Sequence, residues 1–531
     1  MALAEVVNQY GQLMCFISRF EDTLTDGRSM RVLFAVAIAA IMMSTPQVNA
    51  SQKLIVKESK LGMPVVTIEP YSKSEFKKEL KRAREYAESQ SKKRRGVASR
   101  VNEEAALSCG FRELRDRLIG GSGCVSGKAG AKKSAVESAD QLAAIIADAD
   151  NDSFYSKLED DDAKLLAAQL ALLAPMRGIL YRSRGLVEDY RLSHSVVLTA
   201  IRAAATGVTI FGTNSSWKSA IKFLGDPYPG IERTLQLKDD QSFYQFISTE
   251  LENSVRKFHD RINELDFNSG IRFDAKTLFG ETDFADDQDR YFSLGYPEQR
   301  ALIGGAQLAL SGIQAGKSYV WKGFFAAIQN VAEVYGYDAN GVSRVLGFRS
   351  PKGATPENRV AVIRKKSPEL GNFRSGHEEY LRSSYNLLKV GIQNLQAAKE
   401  ATDGNTERLD RIGVRQFIDP RAVAPFGRIA DTSFENLLSL LDDKPVTSAI
   451  YQGEEVRVKV REMFGFESGV TPPNLQGFLP DQFNQEKFET KKGGYIYHNY
   501  LSGAPTHWNY NYYRRYFPLN AGESELNEEG V

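Results

Sequence analysis

The densest run of oxygen-bearing side chains in the 531-residue chain is DADNDSFYSKLE, residues 148–159. Asp148, Asp150 and Asp152 alternate, Phe154 can offer a carbonyl, Ser156 a hydroxyl, and Glu159 a closing carboxylate. Calcium takes about six to eight oxygens at short range, and alternating carboxylates with a distal bidentate Glu supply them around one tight loop. A polar turn between helices, opened by an Asp N-cap, accounts for the same letters without an ion. Calcium is therefore the one cofactor the sequence suggests.

The run resembles the twelve-residue EF-hand loop. Asp148, Asp150 and Asp152 match its first, third and fifth positions, Phe154 its seventh, Ser156 its ninth and Glu159 its twelfth. It departs from that pattern at Ser153, where the loop has Gly, and in having no second loop to pair with. A second resemblance is to penicillin-binding serine enzymes: Ser215 and Lys218 stand as S-x-x-K, Ser384 and Asn386 as S-x-N, and Lys491–Gly493 as K-x-G. Lys492 stands where Thr or Ser is usual, and S-x-x-K recurs at Ser74, Ser89, Ser219 and Ser254. The string SGIQAGKS, residues 311–318, fails as a phosphate loop because Ser311 occupies a required Gly position and a helical pattern precedes it. No nucleotide is expected. His194, His259, His377, His498 and His507 form no metal spacing.

Residues 30–50, MRVLFAVAIAAIMMSTPQVNA, carry one basic residue, an apolar run over Val32–Met43 and a small-residue end at Ala50. That is the pattern of a cleaved secretory signal, with an apolar core shorter than the roughly 20 residues a spanning helix needs. Export to a secreted or periplasmic location follows, with residues 1–29 an upstream extension and no transmembrane span left in the mature chain. Cleavage also removes Cys15 and leaves Cys109 and Cys124, whose pairing as a disulfide an oxidising compartment favours.

With 68 Lys and Arg against 67 Asp and Glu, charge gives no global case for nucleic acid. The elements fall into five stretches. After residues 1–50, residues 51–100 read as an extended arm bearing Pro64 and then a solvated basic helix, with eleven basic and four acidic residues over Lys73–Arg100. Residues 101–265 have Ala-rich helical spacing and read as a bundle. Residues 266–404 read as a second helical region: a connecting segment over 266–293, a close-packed helix bearing Gly304, Gly305, Ala309, Gly312 and Gly316, a Pro-rich loop, and a strong helix over 376–401. Residues 405–531 have shorter elements and an aromatic-rich end.

That end alternates as a hairpin over 494–501 and 506–517. Tyr495, Tyr497, His498, Tyr500, His507, Trp508, Tyr510, Tyr512 and Arg514 would then form a stacking surface suited to a glycan or a protein, or an aromatic-ribbed packing face. The expected fold is mainly α, an Ala-rich helical bundle with a smaller mixed C-terminal part. The expected function is an exported binding or scaffold protein of the cell envelope, its partner an envelope polymer, glycan or protein. A secreted cell-wall or glycan hydrolase with carboxylates that spacing does not reveal is the alternative.

Overall fold

The structure, a computed structural model, describes residues 53–59, 63–94, 107–121, 124–125, 128–129, 136–189, 222–267, 270–274, 291–326, 367–402, 433–447, 455–456 and 460–466. The export segment, Ser215, Lys218, His194, Lys491–Gly493 and the aromatic residues 495–514 lie outside these. The described part is 65% helical, so the fold is mainly α.

The chain enters as an antiparallel hairpin, β1 (Ile55–Glu58) with β2 (Pro64–Thr67), in register Val56 to Val66. Pro64 opens its strand, where a missing N–H costs least. Helix α1 (Lys73–Arg94) starts at a reciprocal cap: the Ser72 N–H donates to Glu75 and the Glu75 N–H to Ser72 Oγ. The helix is not solvated all round as the charge run suggested. Glu79, Ala83 and Ala87 are buried, and only the opposite face meets water.

Helix α2 (Cys109–Ile119) is capped by Ser108, whose Oγ accepts from the Phe111 N–H at 3.0 Å, and ends at Gly120 with φ 79°. Cys109 at its start is disulfide-bonded to Cys124 on the short β3 (Cys124–Val125), which pairs with β4 (Lys128–Ala129). Closing a loop of this length contributes about 3 kcal/mol. Helices α3 (Ala139–Asp150), α4 (Asp152–Tyr155) and α5 (Asp161–Ala171) follow. The apolar run continues past Ala171 in sequence, yet α5 ends there, followed by a 3-10 turn at Ala174–Met176 that contains Pro175 and by Gly178 with φ 62°. Two short helices, α6 (Ile179–Arg182) and α7 (Arg184–Asp189), resume after it. The stretch 161–182 is long and apolar enough to cross a bilayer, but 67% of that window is buried in protein.

Helix α8 (Asp240–Gln245) runs through a π turn at Phe246–Leu251 into α9 (Glu252–Asn263). Residues 266–293 are more than a connection: β5 (Ile271–Asp274) pairs antiparallel with β6 (Tyr291–Leu294). Arg115 of α2 anchors β5, its Nη1 donating to the buried Asp274 at 3.2 Å. The two long helices come next, α10 (Tyr296–Lys317) and α11 (His377–Glu400), and then α12 (Phe434–Leu441), β7 (Val446–Thr447) paired with β8 (Glu455–Val456), and α13 (Val460–Met463). One continuous apolar core joins Val66, Phe111, Leu166, Phe258, Leu395 and Val460, and so all four stretches that follow residue 50.

Helices α10 and α11 form the axis of that core. Contacts of Arg300 with Asn394, Ser311 with Ser384 and Ser318 with His377 show that they run antiparallel. At the crossing a Cβ on Gly304 would lie 2.9 Å from the Gly391 carbonyl oxygen, and one on Gly391 would lie 3.1 Å from that of Gly304. Here glycine is needed for approach, whereas a Cβ on Gly312 would meet nothing within 4 Å. Gly304→Ala should therefore lower stability by about 1–3 kcal/mol through backbone displacement, while Gly312→Ala should be neutral or stabilising; denaturant unfolding of both variants checks the contrast.

Candidate functional site

The face that α10 turns to α11 is polar in a heptad rhythm: Arg300, Gln307, Ser311, Gln314 and Ser318 share the stripe of Gly304. These side chains are buried. Buried polar groups must pair or lose their solvation free energy, and here three linked arrangements do most of the pairing, leaving Arg300 Nε and Glu252 Oε1 without a hydrogen-bond partner.

At the N-terminal end of α10, the Arg300 guanidinium contacts Glu79 of α1, while its Nη1 donates to Asn394 at 3.2 Å and to Tyr71 Oη at 3.4 Å. Tyr296, one turn earlier, donates its hydroxyl to the same Glu79 at 2.5 Å. Burial pushes the Tyr71 and Tyr296 hydroxyls above the ordinary tyrosine range. Burial works against the charge on Arg300, but a guanidinium stays protonated at any accessible pH, and Glu79 supplies the opposing carboxylate.

From Arg300 a one-way hydrogen-bond chain crosses three helices. Asn394, having accepted from Arg300, donates to Gln307 Oε1 at 2.8 Å, and the Gln307 amide lies 3.2 Å from His259 Nε2. His259 is fully buried, and its Nδ1 lies 3.1 Å from Asp260 Oδ1. These directions make His259 Nε2 an acceptor from Gln307, and the Asn263 amide nitrogen also lies beside the ring, 3.3 Å from Nδ1 and 3.4 Å from Nε2.

At the C-terminal end of α10, Lys317 contacts Glu252 with both side chains fully buried. Glu252 is the first residue of α9, placed there by the π turn that precedes it. Gln314 Nε2 donates to the same carboxylate at 2.9 Å, and Lys317 also donates to the Pro64 carbonyl at 2.9 Å. Burial raises the Glu252 carboxyl above its ordinary range and lowers the Lys317 ammonium below its own; each partner's charge opposes those shifts. The pair is thus a sealed acid and base whose cover is the β1–β2 hairpin.

The residues expected to hold calcium lie elsewhere and face cations. Asp148 and Asp150 are in the last turn of α3, Asp152 and Phe154 in α4, Ser156 at its end and Glu159 beyond. Asp148 pairs with Arg117 at 2.7 Å, Asp150 with Lys257 at 2.9 Å and Asp152 with Arg261 at 2.8 Å. Among the described residues no group of three or more His, Cys, Asp or Glu side chains gathers as a metal site. The cap in this turn is Asn151, whose Oδ1 accepts from the Ser153 N–H at 2.8 Å.

Ser384 and Asn386 both lie within α11, and Ser384 is buried in a reciprocal bond with Ser311: each Oγ donates to the other's carbonyl, at 2.8 and 2.9 Å. Residues 311–318 are the end of α10 and its cap. Sequence reasoning missed Glu79, Glu252, His259, Arg300 and Lys317. The available signal was the heptad stripe on α10, with Arg300 and Lys317 bounding a stretch, residues 301–316, that carries no charge.

Lys317→Met should destabilise the fold by about 3–5 kcal/mol, because it leaves Glu252 charged and unpaired in the core. Lys317→Met with Glu252→Gln should recover most of that loss. The single variant should also acquire a pH dependence. A carboxyl whose folded pKa is raised stabilises below its unfolded value, near 4.3, and loses that contribution as pH rises; the deficit against wild type should thus be smaller at about pH 4 than at pH 7. Urea midpoints of wild type, the single variant and the double variant at both pH values test this. No family model, curated protein or solved structure matches the chain, so the reading of this site rests on its own geometry.

Proposed function

We propose that the chain is an exported, disulfide-closed helical platform that holds an anionic polymer of the cell envelope on the outer face of α1. The observation that carries this reading is the division of α1 into two faces. Glu79, Ala83 and Ala87 fix it to α10 and α11, while Lys73, Lys77, Lys78, Lys81, Arg82 and Arg84 are exposed. Part of that charge is neutralised: Lys81 lies 3.6 Å from Glu85 and Arg84 2.8 Å from Glu400. The first turns nevertheless keep a cationic excess on a chain whose overall balance is close to neutral. A rigid row of cations concentrates a polyanion locally even without net charge. The Cys109–Cys124 bond and the signal-like residues 30–50 support export.

Two outcomes are expected. The full chain should bind a soluble polyglycerol phosphate or acidic polysaccharide with an affinity that falls as salt rises from about 0.1 to 1 M, where the Debye length shrinks from ~10 to ~3 Å. Lys73→Glu with Lys77→Glu and Lys81→Glu should abolish that binding without moving the melting temperature by more than a few degrees, since all three side chains are exposed; salt-insensitive binding or an unaffected variant would reject the reading. Separately, protein recovered from its host should begin at Ser51 and show Cys109 linked to Cys124 in a non-reducing peptide map. An intact first segment with free thiols would remove export from the proposal.

A further inference from the structure

The outer edge of β2 is the place where a third strand would pair, and side chains of α10 and α11 occupy that place. Val66 pairs across the hairpin with Val56, yet its N–H donates to Gln314 Oε1 at 3.3 Å and its carbonyl accepts from Ser383 Oγ. Pro64 has no N–H to satisfy, and its carbonyl accepts from Lys317 at 2.9 Å. Tyr380 donates to the Met63 carbonyl at 3.2 Å and lies 2.7 Å from Ser59 Oγ, while the Tyr244 hydroxyl is 3.6 Å from Met63 Sδ. Val65, Val66 and Ile68 are buried beside these contacts, at 4%, 0% and 1% exposure.

The trough therefore reads an extended segment in two ways at once. Polar side chains recognise main-chain groups at residues 63, 64 and 66, which any extended strand presents. Apolar pockets recognise β-branched side chains. This is the chemistry by which a sheet edge captures a peptide, here carried out by helix side chains in place of a strand.

We propose that the trough between α10 and α11 is a receptor for an extended strand, filled within this molecule by residues 63–68 and able to take the same strand from a second copy of the chain. The second copy is the indicated occupant because polar register and apolar pockets already match this segment. Beyond the buried Ile68, the hairpin is tied to α1 by only the short connector Glu69–Ser72. Pro70 within it holds Glu69 extended, the conformation an exchanged hairpin requires. Exchange of one element between identical copies forms no new type of contact.

The experiment uses the full chain with a specific protease site inserted between Glu69 and Pro70. After cutting, a fluorescent peptide of residues 53–69 is added and its uptake followed by anisotropy and gel filtration. The expected result is displacement of the cut hairpin by labelled peptide, saturable and competed by unlabelled peptide. A peptide carrying Val66→Asp should bind more than about tenfold more weakly, since it forfeits burial of that side chain. Gln314→Ala with Ser383→Ala in the cut chain should weaken uptake of the native peptide by a similar factor. If the cut body loses helical signal, its recovery on adding the native peptide, and not the Val66→Asp peptide, supports the proposal equally. No uptake by a folded body, no recovery of an unfolded one, or equal binding of both peptides would overturn it.

Discussion

Two helices in contact backbone to backbone cannot place large side chains at their crossing, and the approach of Gly304 to Gly391 imposes that limit on the centre of this protein. Helices usually fill the space between them with interdigitating apolar side chains. Here the short distance brings Ser311, Gln307 and Arg300 within hydrogen-bond reach of Ser384 and Asn394 instead. Water is excluded from the same space, so every polar group placed there needs a partner of fixed geometry. The consequence is register: sliding α11 along α10 by one residue would break the serine pair, the amide chain and the arginine contact together. An apolar interface of equal area would tolerate such a slip at lower cost.

The ionic groups follow the same logic at the ends of α10. The Arg300 charge is balanced by the Glu79 carboxylate, and Lys317 is held beside Glu252 against the opposing effect of burial. Neither pair is efficient stabilisation, since desolvating two charges offsets much of their attraction. What each pair does is make one arrangement acceptable and penalise its neighbours. The π turn before α9 fits this account, because the extra residue in the turn re-aims the start of α9 and so delivers Glu252 to Lys317.

Much of the helical framework was legible in the chain, because helix ends are written locally. The spacing over 376–401 reads as one strong helix, and α11 spans His377–Glu400. The cysteine pair was equally local. The site was not. Gln307 and Gln314 fit a buried helix of a soluble fold, but nothing in the string names the groups that pair them: Asn394 and His259 for the first, Glu252 and the Val66 N–H for the second. The aspartates of residues 148–152 carry the opposite lesson. Their spacing suits a cation, and the cations that lie beside them are Arg117 of α2 and Lys257 and Arg261 of α9, elements distant in sequence. Local strings state which charges are present; the fold decides what neutralises them. The connecting stretch 266–293 was misjudged for a related reason, since Asp274 looks like a loop residue until Arg115 is placed against it.

The arm of residues 53–94 links both ends of α10, and it does so unequally. Arg300 and Lys317 are 17 residues apart, about 25 Å along a helix. At the first, α1 supplies Glu79, the carboxylate against the buried guanidinium, alongside the neutral Tyr71, Tyr296 and Asn394. At the second, β2 supplies only the neutral Pro64 carbonyl, and the compensating charge comes from Glu252 in the body of the fold. Removing α1 would leave a cation alone in a dry core. Removing the hairpin would leave an ion pair intact, wetted on one side. The electrostatics thus fix α1 permanently and leave the strand ahead of it held by hydrogen bonds and the burial of three apolar side chains, interactions that an identical strand from another molecule reproduces in full.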